Sequence, residues 1–115
     1  MENNKYDLEE RTFKFAKDCS DYVGKLPRTV SNIEYGKQLI RSSGSIGANY
    51  IEANESLSKK DCQMRAKISK KETKESHYWL RLTEPIKGQE IVRDRLIQES
   101  NELMRIFGSI LEKLK

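Results

Sequence analysis

The residue types that most often perform catalysis or bind metals are scarce in this chain. It has one histidine, His77, and two cysteines, Cys19 and Cys62, which we expect to be buried free thiols. A di-iron site in a helical bundle needs a Glu-x-x-His pattern on two helices, and one histidine cannot supply two. No two of these three residues have the close spacing of zinc ligands. The sequence therefore predicts no metal site, no cofactor and no catalytic residue, and a solvent-exposed His77.

Positive charge is concentrated in residues 59–81. This segment contains eight Lys and Arg and three acids, a net charge of +5, whereas the whole chain has a net charge of +4. Steps of seven, four, three and seven residues place five of these cations on one side of a helix: Lys60, Lys67, Lys71, Lys74 and Arg81. We expect this face to bind nucleic acid, with an ordinary solvated surface as the alternative. We expect Lys70 to contribute to the same binding. Tyr78 is the only aromatic candidate on this face, so recognition of single-stranded bases is not expected.

The acids of this segment, Asp61, Glu72 and Glu75, project onto the same stripe as the apolar Trp79. Burying an unpaired carboxylate costs several kcal/mol, so these acids need partners from other helices. We interpret them as a polar layer that sets the helix register or contributes to an oligomer contact. The catalytic alternative is that Glu72 and Glu75 form a general acid and base pair.

The preceding segment carries a polar stripe on the side away from its apolar arc. Its residues recur at spacings of four, four and three: Arg41, Ser45, Asn49 and Glu52. This stripe is expected to be either neutral surface or a contact with a neighbouring chain. The run from Ser42 to Ile51 has no charged residue, and its small residues, such as Gly44 and Gly47, favour close approach of another backbone. It lacks the Gly-Lys-Ser/Thr ending of a phosphate-binding loop.

Four periodic segments separated by short breaks predict four helices, at about residues 8–26, 32–55, 59–83 and 90–114. Asp7, Ser31 and Ser58 each precede an acid by three residues and are expected to cap the first three helices. Each of the two prolines lies in one of the breaks. Because short connections join antiparallel neighbours, the sequence predicts a single domain over residues 1–115, an all-α, up-down-up-down antiparallel four-helix bundle.

The second helix has the widest apolar surface of the four. Its core stripe is expected to extend to Leu57, and a flanking stripe that includes Ile33, Ile40 and Ile51 widens the apolar arc to nearly half of the circumference. Such a helix must be covered on two sides. No apolar run approaches the roughly 20 residues that span a bilayer, and the N-terminal residues lack the features of a secretory signal. We expect a cytoplasmic protein with no membrane partner.

Three runs of the sequence carry a family resemblance: Tyr6-Asp-Leu-Glu-Glu-Arg-Thr-Phe13, the run from Gln38 to Ala53, and Lys71-Glu-Thr-Lys-Glu-Ser-His-Tyr-Trp-Leu80. The second run contains a Ser-Ile-x-Ala-Asn-x-x-Glu core from Ser45 to Glu52. With these runs the chain resembles the bacterial four-helix bundle family first noticed as proteins encoded in intervening sequences of 23S ribosomal RNA genes.

The resemblance implies a four-helix bundle that assembles as a ring-like homopentamer, with no established enzymatic activity. A related accessory protein of diversity-generating retroelements looks like a basic pentameric barrel that works with nucleic acid and a reverse transcriptase. We therefore expect a non-enzymatic homo-oligomer, a pentamer by this resemblance, that binds RNA or DNA through the basic face of the third helix. The alternative is a scaffold that binds a protein partner and has no nucleic-acid role.

Overall fold

The computed structural model describes residues 4–115, with side chains from residue 7 onward. Four α-helices follow one another along the described chain, which contains no strand: α1 (Asn4–Gly24), α2 (Val30–Asn54), α3 (Lys59–Leu82) and α4 (Glu90–Lys113). Each helix packs against the next, and α1 also touches α4, which closes the bundle. The predicted all-α, up-down-up-down four-helix bundle is confirmed.

Side-chain caps explain where α2 and α3 begin, and they correct two of the predicted caps. The Thr29 hydroxyl accepts a hydrogen bond from the Asn32 amide at 3.1 Å, so Thr29 and not Ser31 caps α2. Asp7 lies inside α1, which begins at an earlier residue, and so it is not a cap. Ser58 caps α3 as its sequence pattern predicts.

One face of each helix contributes to a shared apolar core. Its largest fully buried apolar side chains come from all four helices: Phe15, Tyr22, Leu39, Ile46, Leu80, Leu103 and Phe107. Burying a side chain of this size stabilises the fold by about 1.5–3 kcal/mol. The prediction for Leu57 is wrong, because α2 ends at Asn54 and leaves Leu57 fully exposed.

The packing of α2 against α3 depends on small and polar side chains more than on large apolar ones. The buried stripe of α3 includes Ala66, Ser69, Thr73 and Ser76. The Ser69 hydroxyl donates to the Ile46 carbonyl oxygen of α2 at 2.9 Å, and Ser76 shares a 2.8 Å hydrogen bond with a serine of α2. Because these side chains are short, the two helices lie close together, and the opposite side of α3 faces solvent.

Two glycines of α2 allow α1 to approach it closely, and Gly47 is the one that belongs to the predicted run of small residues. A Cβ atom on Gly47 would lie 2.9 Å from Thr12 Oγ1, and one on Gly36 would lie 2.8 Å from a methyl group of Val23. Gly44 is different, since no atom of another described helix lies within 4 Å of its would-be Cβ position. The smallness of Gly44 therefore serves no packing contact within the described chain.

Candidate nucleic-acid interface

The outward face of α3 carries a continuous line of exposed side chains. Its members alternate between steps of four and three residues, over about 32 Å at 1.5 Å per residue: Lys60, Met64, Lys67, Lys71, Lys74, Tyr78 and Arg81. Five of the seven are cations and none is an acid, so the line has one sign of charge. We call these five cations the basic ridge.

The charges of the basic ridge are not neutralised by nearby carboxylates. Within the described part of the chain, no acid lies within 4.0 Å of a ridge nitrogen. Lys70 is exposed beside the ridge, and its Nζ lies 4.0 Å from where a Cβ on Gly108 of α4 would stand. All six residues that the sequence singles out for nucleic-acid contact are thus exposed on α3.

Two of the acids of α3 face α2 and share one arginine there. Glu72 is 7% exposed and Glu75 is half-buried. Arg41 Nη2 donates to Glu72 Oε1 at 3.2 Å and to Glu75 Oε1 at 2.7 Å. Glu72 first, and then Glu75, raises the pKa of Arg41 above its ordinary value. These three residues form the polar layer, and the partner comes from another helix as expected.

The expectation that all three acids need partners from other helices is wrong for Asp61. This residue is exposed in the first turn of α3, one residue after Lys60. The actual buried stripe of α3 consists largely of serine, threonine and alanine, which hydropathy does not distinguish from surface residues. As a result, α3 separates its charges: Glu72 and Glu75 turn toward α2, and the basic ridge turns toward solvent.

The polar stripe of α2 lies along α3 and does not simply face solvent. Arg65 Nη1 of α3 donates to Asn49 Oδ1 at 2.9 Å, and Asn49 Nδ2 donates to the Ser45 carbonyl oxygen at 2.9 Å. Glu52, the last member of the stripe, is exposed. The structure therefore brings Arg41 and Asn49 into contacts within the chain, whereas Glu52 makes no side-chain hydrogen bond among the described residues.

His77 is not the exposed side chain that its sequence position predicts. It is half-buried between α3 and α4, where its Nδ1 lies 3.1 Å from Ser100 Oγ. Because the Ser100 hydroxyl donates to the Ile97 carbonyl oxygen at 2.6 Å, His77 Nδ1 is the donor in this pair. Burial, and then the charge of Arg81, lowers the pKa of His77. This environment favours the neutral form of the imidazole.

The two cysteines differ from each other in environment. Cys19 is completely buried, and desolvation raises the pKa of its thiol to about 12. Cys62 is only half-buried, which corrects the expectation that both thiols are buried. Among the residues that the structure describes, no group of three or more His, Cys, Asp or Glu side chains could hold a metal ion. No helix of the described chain is both long enough and apolar enough to span a bilayer.

An aromatic cluster lies at the C-terminal end of the basic ridge, and sequence reasoning missed it. Tyr78 is 53% exposed, and its ring meets Trp79 edge-on at a centroid distance of 5.2 Å. Trp79 in turn stacks on Tyr35 of α2 at 6.1 Å. The indole Nε1 of Trp79 is buried and has no acceptor among the described residues. Tyr35 is far away in sequence, so only the pairing of α2 with α3 reveals the cluster.

Comparison with known proteins identifies the family. The model of the 23S rRNA-intervening sequence protein family matches residues 4–109. The chain belongs to this family. The match extends from α1 into α4. The part of the chain that matches the 23S rRNA-intervening sequence protein family therefore includes the basic ridge, the polar layer and the aromatic cluster.

A solved structure from a related group has the same fold. The chain is similar to a protein of unknown function from the S23 ribosomal protein family of Bacteroides thetaiotaomicron VPI-5482, whose crystal structure was determined at 1.70 Å resolution. The two share 27% sequence identity with a TM-score of 0.77, over 90% of this chain and 97% of the other. Among curated proteins, no significant match is found.

Proposed function

We propose that this chain is a non-enzymatic homo-oligomer, a pentamer by its resemblance, that binds nucleic acid through the basic ridge. The observation that carries the proposal is the ridge itself: five exposed cations on one helix face, with no carboxylate of the described chain within 4.0 Å of their nitrogens. Surface cations are usually interspersed with acids, and a single-signed line of this length attracts polyanions.

The polar layer supports this proposal by keeping negative charge away from the ridge. Glu72 and Glu75 belong to the same helix as the ridge, and in solvent they would reduce its positive potential. Their contacts with Arg41 hold them on the α2 side instead. At physiological ionic strength, dissolved salt largely screens the interaction between exposed charges more than about 8 Å apart. The local arrangement of charges therefore matters more for binding than the net charge of the chain.

The chemistry of the ridge favours phosphate contact without sequence readout. Four of its five cations are lysines, whose ammonium groups are flexible point charges, and such groups contact phosphate oxygens without reporting base identity. If all five cations of one chain each neutralise a phosphate, the logarithm of the affinity for duplex DNA should fall by about 4–5 units per tenfold rise in salt.

Self-association is supported by an uncharged line on α2. Its members are exposed and follow steps of four, four and three residues: Ile40, Gly44, Ala48 and Ile51. Ile40 and Ile51 belong to the wide apolar arc predicted for α2, and both remain exposed within the described chain. Small residues flanked by isoleucines suit the close approach of a second copy, and several copies together would multiply the positive charge presented by the ridge.

The binding proposal is tested with fluorescence anisotropy, using labelled duplex DNA and structured RNA over a series of salt concentrations. Binding that weakens steeply with salt supports the ridge as a working surface, and tighter binding of the RNA would favour a ribosomal RNA ligand. If neither probe binds at low salt, the nucleic-acid proposal is wrong.

The assembly proposal is tested separately by native mass spectrometry. A pentamer of the 13.4 kDa chain has a mass of about 67 kDa. The variant I40E/I51E should dissociate it, whereas the matched control I86E/I91E, which changes two isoleucines exposed elsewhere, should leave the mass unchanged. A monomeric wild-type chain contradicts this part of the proposal.

A protein-interaction scaffold is the second candidate, and the exposed isoleucines of α2 favour it. In that case α2 binds a different protein and the ridge serves only solubility. A stable monomer that binds neither nucleic-acid probe supports this alternative, because both parts of the first proposal then fail together.

A further inference from the structure

Tyr78 interrupts the basic ridge at a position between two of its cations. Lys74 lies four residues before it and Arg81 three residues after it, so both are neighbours on the same helix face, with Cβ atoms roughly 5–6 Å from that of Tyr78. The Tyr78 side chain is 53% exposed. An aromatic ring is therefore presented to solvent with a positive charge on either side along the helix.

The Tyr78 ring is supported from within the bundle. Trp79 meets it edge-on at 5.2 Å with an interplanar angle of 71°, and Trp79 is itself stacked on Tyr35 at 6.1 Å with an angle of 29°. Trp79 packs against the apolar core, so the support is anchored. A tyrosine has two side-chain torsions, and a ring that is already braced loses little conformational entropy when a ligand covers it.

We propose that Tyr78 is a stacking site for an unpaired nucleobase, with Lys74 and Arg81 binding the phosphates next to that base. The proposal rests on the proposed function and adds the class of ligand: a nucleic acid in which a single-stranded tail, loop or bulge adjoins the segment held by the rest of the ridge. It reverses the expectation, drawn from sequence alone, that base stacking plays no part on this face.

The chemistry of the site matches a single-stranded nucleotide better than a duplex. Bases inside a duplex are stacked on one another and cannot cover an external ring, whereas an unpaired base can turn out and lie on an aromatic side chain. Every base has a π-face, so this contact is tolerant of sequence, in keeping with a ridge of phosphate-binding lysines. RNA and DNA share this chemistry, and the experiment includes both.

The test compares two probes on the full-length protein. One is a short blunt duplex, and the other is the same duplex with a single-stranded tail of a few nucleotides that contains 2-aminopurine, whose fluorescence falls when it stacks. Wild type should bind the tailed probe more tightly and quench its fluorescence. Y78A should weaken binding of the tailed probe roughly 5- to 150-fold and abolish the quenching, with little change for the blunt duplex.

Two control variants separate stacking from other effects. Y78F keeps the ring and should keep both the preference and the quenching. M64A removes an apolar side chain with 50% exposure from the same line of α3, and the preference for the tail should persist. Circular dichroism and thermal unfolding of each variant establish that it is folded.

The possible outcomes distinguish this proposal from the proposed function. If wild type binds both probes equally and Y78A behaves like wild type, the stacking site is wrong while the ridge stands. If Y78A weakens binding of both probes to the same extent, Tyr78 supports the ridge structurally and the stacking proposal is again overturned. If neither probe binds at low salt, both proposals fail. Tighter binding of an RNA tail than of the matching DNA tail would show that the stacking site prefers RNA.

Discussion

Glu72, at 7% exposure, is among the most buried charged residues of the described chain, and its carboxylate lies 3.2 Å from the guanidinium of Arg41 on the preceding helix. The Arg41 side chain is itself 49% exposed, so the pair spans the boundary between core and solvent. This contact links the packing of α2 on α3 to the charge pattern of the surface, because it holds one acid of α3 away from the basic ridge.

Removing Arg41 should leave a buried carboxylate without its partner. We expect R41M to lower the free energy of unfolding by about 2 kcal/mol, since an unsatisfied buried polar group costs this much. The double variant R41M/E72M should recover most of the loss, because it removes the stranded charge as well. Urea denaturation of the variants measures both effects.

The matched control for R41M is K37M, which breaks the exposed Lys37–Glu34 pair on α2. Exposed pairs of this kind contribute little, so K37M should change the unfolding free energy by less than about 0.5 kcal/mol. Equal effects of R41M and K37M would contradict the structural role of the polar layer.

The contact between Gly47 and α1 makes a second stability prediction. G47A would place a Cβ 2.9 Å from the hydroxyl of Thr12, a side chain that is itself buried, and we expect a net loss on the order of 1 kcal/mol from the forced repacking. G24A, in the last turn of α1 with open space around its would-be Cβ, should stabilise the folded chain by up to about 1 kcal/mol through helix propensity. Thermal unfolding that moves both variants in the same direction would argue against the close approach of α1 and α2.

The fold was accessible from the sequence because its signals are local. Helical periodicity, short connections and the Ser58 cap need no knowledge of distant residues, and all of them agree on a bundle. The failures concern contacts between helices. Leu57 fits the apolar period of α2 but follows the end of the helix, and the serines of the α3 stripe carry no hydropathic signal although they are fully buried.

The candidate site also has one part that could be predicted from the sequence and another part that depends on contacts between helices. The ridge could be predicted because outward positions of one helix follow a fixed period, and lysines at that period are rarely buried. Three features depend on which helices adjoin: the turn of Arg41 toward α3, the contact of His77 with Ser100, and the stacking of Tyr35 on Trp79. A single sequence shows the residues of these pairs but not their partners.

The environment of His77 predicts a pH dependence of stability. Burial and the charge of Arg81 lower its pKa in the folded state below the usual 6.5, so below pH 6.5 the unfolded chain binds more protons than the folded chain. The contribution of neutral His77 to the stability of the folded chain is therefore complete above pH 6.5. It is lost as the pH falls through the lowered pKa of the folded state. Melting temperatures between pH 7.5 and 5.5 should decline for wild type and decline less for H77Q. Identical pH profiles would show that His77 is not the responsible group.

The central claim is that the basic ridge, and not the net charge of the chain, binds nucleic acid. The most direct measurement compares K67Q/K71Q/K74Q with K17Q/K25Q/K87Q, whose three lysines are exposed outside α3; each variant lowers the net charge from +4 to +1. Anisotropy titrations against duplex DNA and structured RNA should show that the ridge variant binds at least tenfold more weakly, with a salt slope smaller by about 3, while the control keeps the wild-type slope. Equal losses in the two variants, or no loss in either, would contradict the account.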